Sequence, residues 1–185
     1  SNTTASNNTA VGFQAGYHNS TGAANTFVGQ YAGLSAGGTG NTAIGYGSGS
    51  TYGAAQSCAY NSSLGWNSLS NVTSGAYNTA MGAQALYSNT TASNNTAVGY
   101  QSLYYNTTGT LNVAVGHTAL VSNTTASNNT AVGHASLNAN TTGADNAAFG
   151  FYSLLSNTTG NNNKIGRAHV LNSSHTDISR MPSSA

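Results

Sequence analysis

Charge is almost absent from this sequence. Its 185 residues hold three basic and two acidic residues, and the stretch 1–144 contains no charged residue at all. Long-range electrostatic attraction therefore cannot select a partner for most of the chain. Because neutralising phosphates requires many lysines and arginines, we expect no nucleic-acid partner.

Cysteine and long hydrophobic runs are scarce as well. Cys58 is the sole cysteine, so no internal disulfide can form. No run approaches the ~18 apolar residues of a membrane span, and we expect no membrane insertion of this stretch. The chain has no initiator Met and no signal sequence, and it opens within a repeat, so we expect a fragment whose missing export signals carry no weight.

What the sequence does contain is a short tandem repeat. Its glycines recur at a near-constant spacing, and each stands at the fourth position after an asparagine. So short a period predicts small units that stack on one another to hide their apolar faces. The repeat glycines are Gly12, Gly29, Gly45, Gly65, Gly82, Gly99, Gly116, Gly133 and Gly150. The repeat asparagines are Asn8, Asn25, Asn41, Asn61, Asn78, Asn95, Asn112, Asn129 and Asn146.

Each repeat has room for two short strands and two turns, such as the runs 96–98 and 100–104. The identical NTTASNNTAVG at 89–99 and 123–133 could suggest a tetratricopeptide array, but frequent Gly, Asn and Thr disfavour helices. The sequence predicts an all-β fold over residues 1–164, a parallel β-solenoid with about 17 residues per coil. The longer step from Gly45 to Gly65 predicts an irregular loop near 47–60.

Two apolar columns form the predicted core. The first precedes the repeat glycines: Val11, Val28, Ile44, Leu64, Met81, Val98, Val115, Val132 and Phe149. The second stands at the fourth position after them: Leu69, Leu86, Leu103, Leu120, Leu137 and Leu154. Gly16, Gly33 and Gly49 take that second position in the early coils, so we expect a slimmer rod there. The repeat glycines themselves are expected where a Cβ would be forbidden.

The asparagine column predicts a hydrogen-bonded ladder. Identical amides stacked at the strand spacing of about 4.8 Å can bond from coil to coil. The alternative, which does not exclude a ladder, is that Asn simply favours turns.

An aromatic column is the candidate binding surface. The residue after the repeat glycine carries a ring at Phe13, Tyr46, Trp66, Tyr100, His117, His134 and Phe151. Such a line of rings could stack sugars. The alternative is that the rings cover the core or lie between chains.

Asn-x-Ser/Thr triplets recur because the repeat generates them. They mark glycan acceptors only where a glycosylating route exists, so their use stays open. They include Asn2, Asn19, Asn71, Asn89, Asn106, Asn123, Asn140 and Asn157.

The sequence contains few side chains that could support catalysis. Asp145 is the only carboxylate before residue 165, so no acid pair or nucleophile motif can be assembled. His117 and His134 could share a metal ion, but two histidines without a carboxylate or thiol make a poor site. Cys58 lies in the irregular loop without evident activation. The sequence predicts no enzyme, no catalytic residue, no metal site and no cofactor.

The C-terminal segment departs from the repeat. Arg167 stands where the next glycine is due, and Gly166 comes one residue early. Residues 165–185, IGRAHVLNSSHTDISRMPSSA, resemble a translated sequencing adapter with an index-sized gap at 176–178. We predict a non-native, disordered tail on a sequence of metagenomic origin; a natural linker is the alternative.

The repeat as a whole resembles a known family of fibres. Asn95, Ala97, Val98, Gly99 and Ser102 match the head repeats of trimeric autotransporter adhesins of the YadA-like type. The pattern, which covers residues 2–163, is similar also to repeat arrays of phage and viral tail fibres. The resemblance implies a left-handed β-roll, three chains side by side, and a surface that adheres to host molecules. The period of this repeat exceeds that of the adhesin heads, and the extra residues fall in the Asn-Thr-Thr turn.

These observations predict a structural and adhesive fibre module, the shaft or head of a surface adhesin or viral tail fibre. We expect an extracellular homotrimer, on a cell surface or virion, that binds a host glycan or protein through repeated weak contacts. The alternative is an ice-binding protein that orders water on a threonine column broken at Ser62, Val113 and Ala147. That column comprises Thr9, Thr26, Thr42, Thr79, Thr96 and Thr130.

Overall fold

The computed structural model describes residues 4–51 and 57–165, and the strands among them form one sheet. Each of the first nine strands covers the three residues before a repeat glycine, where β-branched residues are frequent. The strands are β1 (Thr9–Val11), β2 (Thr26–Val28), β3 (Thr42–Ile44), β4 (Ser62–Leu64), β5 (Thr79–Met81), β6 (Thr96–Val98), β7 (Val113–Val115), β8 (Thr130–Val132), β9 (Ala147–Phe149) and β10 (Lys164–Ile165).

The strands pair in parallel and in chain order, from β1 to β10. Thr96 of β6 lies beside Thr79 of β5 and Val113 of β7, so equivalent residues of successive coils are neighbours. Successive strands begin at a constant spacing, except for a shorter step from β2 to β3 and a longer one from β3 to β4. The prediction of an all-β parallel solenoid with about 17 residues per coil is confirmed.

From β2 to β9, the middle residue of each strand is the one that faces the interior. Ala97 is fully buried, whereas Thr96 and Val98 on either side are only half-buried. This follows from the alternation of side chains along a strand. The prediction that the residue before each glycine belongs to the core is therefore wrong, since Val11 is 58% and Met81 43% exposed. A small residue fills the interior because the opposite wall of the coil is close.

That opposite wall is built from turns rather than from a second strand. The run after Gly99 was predicted as a strand, but Gln101 and Leu103 adopt left-handed conformations, each with φ of 53°. The N–H of Gln101 donates to Ala83 O of the coil before, and that of Leu103 to Ala119 O of the coil after. The leucine column is buried as predicted, with Leu103 at 0% exposure.

The early coils replace that leucine by glycine and fill the interior differently. Phe27, the middle residue of β2, is 1% exposed and stands where later coils have alanine. A Cβ built on Gly16 would lie 2.7 Å from the Phe27 ring, and one on Gly33 would overlap the same ring. The phenylalanine thus occupies the volume that the missing leucine side chains leave in two coils.

The repeat glycines stand where consecutive backbones meet. Gly99 has φ of +126°, and a Cβ there would lie 2.5 Å from the carbonyl oxygen of Gly116. Both the conformation and the contact exclude other residues, as the sequence predicted.

Two predicted segments lie partly outside the described residues. The parts outside are residues 52–56 of the predicted loop and residues 166–185 of the predicted tail. Ile165, the first residue of that tail, lies in β10 and pairs with Ala148 of β9.

Candidate binding surface

The repeat asparagines bond the coils together through their side chains and backbone. The backbone N–H of Asn95 donates to Asn78 Oδ1 at 3.0 Å, and Asn95 Nδ2 donates to Gly109 O at 2.9 Å. The same backbone link joins every consecutive pair from Asn8 to Asn146 and extends to Asn163. Direct bonds between amides occur at fewer steps, such as Asn78 Nδ2 to Asn61 Oδ1 at 3.1 Å.

A second asparagine ladder lies beside the first, and sequence reasoning missed it. Asn123 Nδ2 donates to Asn106 Oδ1 at 2.8 Å and to Ala126 O at 3.0 Å. The ladder runs through Asn89, Asn106, Asn123, Asn140 and Asn157. The constant spacing from the repeat glycine was the available signal, but these residues were considered only as parts of Asn-x-Ser/Thr triplets.

Burial closes most of those triplets to glycan transfer in the folded chain. Asn89, Asn106, Asn123 and Asn140 are 0% exposed, and their Nδ2 atoms are already hydrogen-bonded. Asn19 is also buried, whereas Asn71 and Asn157 are half-buried and Asn2 lies outside the described residues. The asparagines thus belong to the interior of a rod in which, among the described residues, every buried side-chain nitrogen and oxygen has a partner.

The aromatic column lies on the outside. Phe13, Tyr46, Trp66, Tyr100 and Phe151 are between 45% and 61% exposed, and His117 and His134 are exposed as well. Toward the C-terminal end, four rings stack in succession along the rod. Their centroids are 5.2 Å apart for Tyr100 and His117, 5.0 Å for His117 and His134, and 5.1 Å for His134 and Phe151.

Stacking changes what these rings can offer to a ligand. The ring planes of His117 and His134 differ by 10°, so each inner ring has a neighbour over both faces. Only the ring edges of the inner pair face solvent, which removes the apolar face that a sugar would stack on. The described residues contain no group of three or more metal-ligating side chains.

The N-terminal part of the column is packed differently. Tyr31, which lies two residues after its repeat glycine, contacts Phe13 and Tyr46 edge to face, with centroids 5.6 and 5.8 Å away. Sequence reasoning did not include Tyr31 in the column. Trp66 makes no ring contact among the described residues, and the next coil has Ala83 in place of a ring. The column is therefore two ring clusters with Trp66 between them.

A second exposed feature is the apolar column just before the repeat glycines, which we call the outer stripe. It runs from Val11 to Phe149 with one residue per coil, and its members are in register across the sheet. The threonine column lies on the same face of the sheet, two residues earlier in each strand. The face thus presents parallel rows of hydroxyl and apolar side chains.

Cys58 belongs to the interior. It is 2% exposed, and burial raises the pKa of its thiol to about 11. Its carbonyl accepts the amide of Asn41 at 2.9 Å, as Ala92 O does for Asn78. Cys58 therefore fills a position that other coils give to Ala or Gly.

In the part of the chain that the structure describes, no helix has the length and apolar character needed to cross a bilayer.

Comparison with known proteins assigns neither a family nor a function to the chain. No family model, curated protein or solved structure matches the chain.

Proposed function

We propose that this chain is a structural and adhesive fibre module, the shaft or head of a surface adhesin or viral tail fibre. The observation that carries the proposal is the exposed aromatic column, which has a ring in seven of the nine coils. Such a surface suits many weak contacts along one line, and avidity then substitutes for a deep pocket. The partner we expect is a host surface glycan or protein, met outside the cell on a cell surface or virion.

The proposal includes a left-handed homotrimer packed along the outer stripe. The outer stripe is a contiguous row of exposed and half-buried apolar side chains, and such a row is typical of a protein–protein interface. A second copy of this chain offers the same row at the same spacing of about 4.8 Å, so the side chains of two copies can interdigitate in register. Between residues 57 and 144 no charged side chain opposes such contact. The trimeric state and the left-handed coil are inferred from the resemblance to adhesin heads.

Binding is tested with the full chain on immobilised oligosaccharides and glycoproteins. We expect the double variant Tyr100→Ser/Phe151→Ser, which removes the outer rings of the C-terminal stack, to lower binding at least tenfold. Tyr60→Ser is the matched control, because Tyr60 is 52% exposed and stacks on Tyr77 outside the column. If the chain binds none of these surfaces, or if Tyr60→Ser loses as much binding as the double variant, the adhesive role is overturned.

Ice binding is the second candidate, and one observation favours it. Thr79 and Thr96 lie side by side on neighbouring strands, on the outward face of the sheet, as an ice-ordering threonine row requires. The row is interrupted at Ser62, Val113 and Ala147. A thermal-hysteresis measurement separates the two functions. A gap between melting and freezing points that Thr79→Lys/Thr96→Lys abolishes supports ice binding, and the absence of such a gap excludes it.

A further inference from the structure

The aromatic column has a gap at Ala83, and the gap has a ring on each side. Trp66 lies one coil before Ala83, and Tyr100 lies one coil after it. Trp66 is 50% and Tyr100 45% exposed. Tyr100 is stacked on one side only, by His117, and Trp66 has no ring partner among the described residues. Among the described residues, each ring therefore has a face that no other ring covers, unlike the inner rings of the C-terminal stack.

The spacing of the coils sets the width of this gap. Ring centroids of the C-terminal stack advance by 5.0 to 5.2 Å per coil. Two coils therefore set the backbone positions of Trp66 and Tyr100 about 10 Å apart, twice the strand spacing, and rings that extend level with their backbones keep that separation. Carbon–carbon contacts of about 3.5–4.0 Å on each side leave about 2–3 Å for the atoms of a guest. A flat aromatic ring is a single atom layer, whereas a puckered sugar ring with its substituents has that thickness.

A polar group stands at the side of the gap. Gln101 Nε2 donates to Gln84 Oε1 at 2.9 Å, which fixes the orientation of the Gln84 amide. The Nε2 of Gln84 has no acceptor among the described residues, and its side chain is half-buried next to Ala83. It is thus a positioned donor for a hydroxyl oxygen. No charged residue occurs between 57 and 144, so nothing here favours an acidic sugar over a neutral one.

We propose that the gap over Ala83 is a binding slot for a neutral pyranose ring, held between Trp66 and Tyr100 and hydrogen-bonded by Gln84. Aromatic rings supply apolar faces for the C–H faces of the sugar, and the amide supplies direction. The inference deepens the proposed adhesive function and rests on it. It also places face-on sugar binding at Ala83, because at Gln30, the other ringless position of the column, Tyr31 contacts the rings on both sides.

Trp66 provides the measurement, because it is the only tryptophan of the chain. The full chain is titrated with neutral methyl pyranosides of the gluco, galacto and manno series and of N-acetylglucosamine. We expect a saturable change of Trp66 fluorescence for at least one of them. Ala83→Phe fills the slot without adding a second tryptophan and is expected to weaken that response at least tenfold. Gln30→Phe adds the same ring at another ringless position of the column and is expected to leave it unchanged.

The outcomes separate the slot from the wider function. A response that persists in Ala83→Phe, or is lost equally in Gln30→Phe, overturns the slot. Binding to the glycan surfaces without any Trp66 response also overturns it and leaves the adhesive function standing. If the chain shows neither a Trp66 response nor binding to the glycan surfaces, the slot and the adhesive function are both overturned. Circular dichroism melting of each variant identifies a loss that comes from unfolding, and Trp66→Phe then tests the slot through binding to the surfaces.

Discussion

The backbone N–H of Asn95 donates to the side-chain oxygen of Asn78, one coil earlier, at 3.0 Å. Asn95 in turn accepts the N–H of Asn112 and donates to Gly109 O. Each asparagine therefore bonds to the coil before it through its backbone N–H and to the coil after it through its side-chain amide. Because equivalent bonds recur along the rod, the ladder stabilises a chain whose apolar interior is narrow.

Removing one amide from this ladder should lower stability. Asn95→Ala leaves the buried N–H of Asn112 without its acceptor, which costs about 2–4 kcal/mol with the lost bonds. Urea denaturation followed by circular dichroism measures the change. The control is Asn94→Gly, at an exposed neighbour with φ of 61°, where glycine should be neutral or slightly stabilising. Equal midpoints for Asn95→Ala and the parent chain would show that the ladder is dispensable.

The sequence predicted the architecture because glycine and asparagine report backbone requirements directly. Gly99 is needed where two backbones touch, and that need recurs once per coil. The apolar columns were harder to place. Val98 is more hydrophobic than Ala97, yet Ala97 points inward, because a three-residue strand has too little alternation to show its inner face.

The second wall and the ring stack were missed for different reasons. Leu103 adopts a left-handed conformation that is costly for leucine, and no pattern of apolar residues announces it. The Gly16, Gly33 and Gly49 of early coils were the clue, since they occupy the same position with φ of 58° to 60°. The ring stack depends on side-chain rotation, which the sequence does not encode locally.

Gly99 should be the least replaceable position of the coil. Gly99→Ala combines a conformation with φ of +126° and a Cβ 2.5 Å from Gly116 O. We expect a loss of about 2 kcal/mol or more, read from the urea midpoint. Gly49→Ala is the matched change, since its φ is +58° and the nearest side-chain atoms would be 3.2 and 3.4 Å away. A comparable loss in both would contradict the role of the close backbone contact.

Leu103 and Val98 should respond differently to protein concentration. Leu103→Ala removes a fully buried side chain and should cost about 2–5 kcal/mol at any concentration. Val98→Thr changes a half-buried residue of the outer stripe, so its effect on melting should grow with the share of assembled chain. Melting curves over a hundredfold range of concentration check both. A concentration-independent loss at Val98 would place it in the core of the single chain.

Cys58 should make stability fall at high pH. Burial raises its pKa from 9.0 to about 11, so between these values the unfolded thiol loses its proton first. Unfolding is then favoured as pH rises through this window, by roughly 3 kcal/mol at most. Cys58→Ala, which copies Ala92 and Ala126 of the same column, should remove this part of the pH dependence. Urea midpoints at pH 8.5 and 10.5 test it; identical pH profiles for the parent chain and Cys58→Ala would show that the thiol is not buried in solution.

The proposed fibre is an assembly of chains joined along the outer stripe. Analytical ultracentrifugation of the full chain measures this assembly. We expect a species of three times the 18.5 kDa chain mass, which Val98→Lys/Val132→Lys converts to folded monomers while Thr91→Lys, in an exposed turn, does not. A stable monomer of the parent chain at every concentration would contradict it.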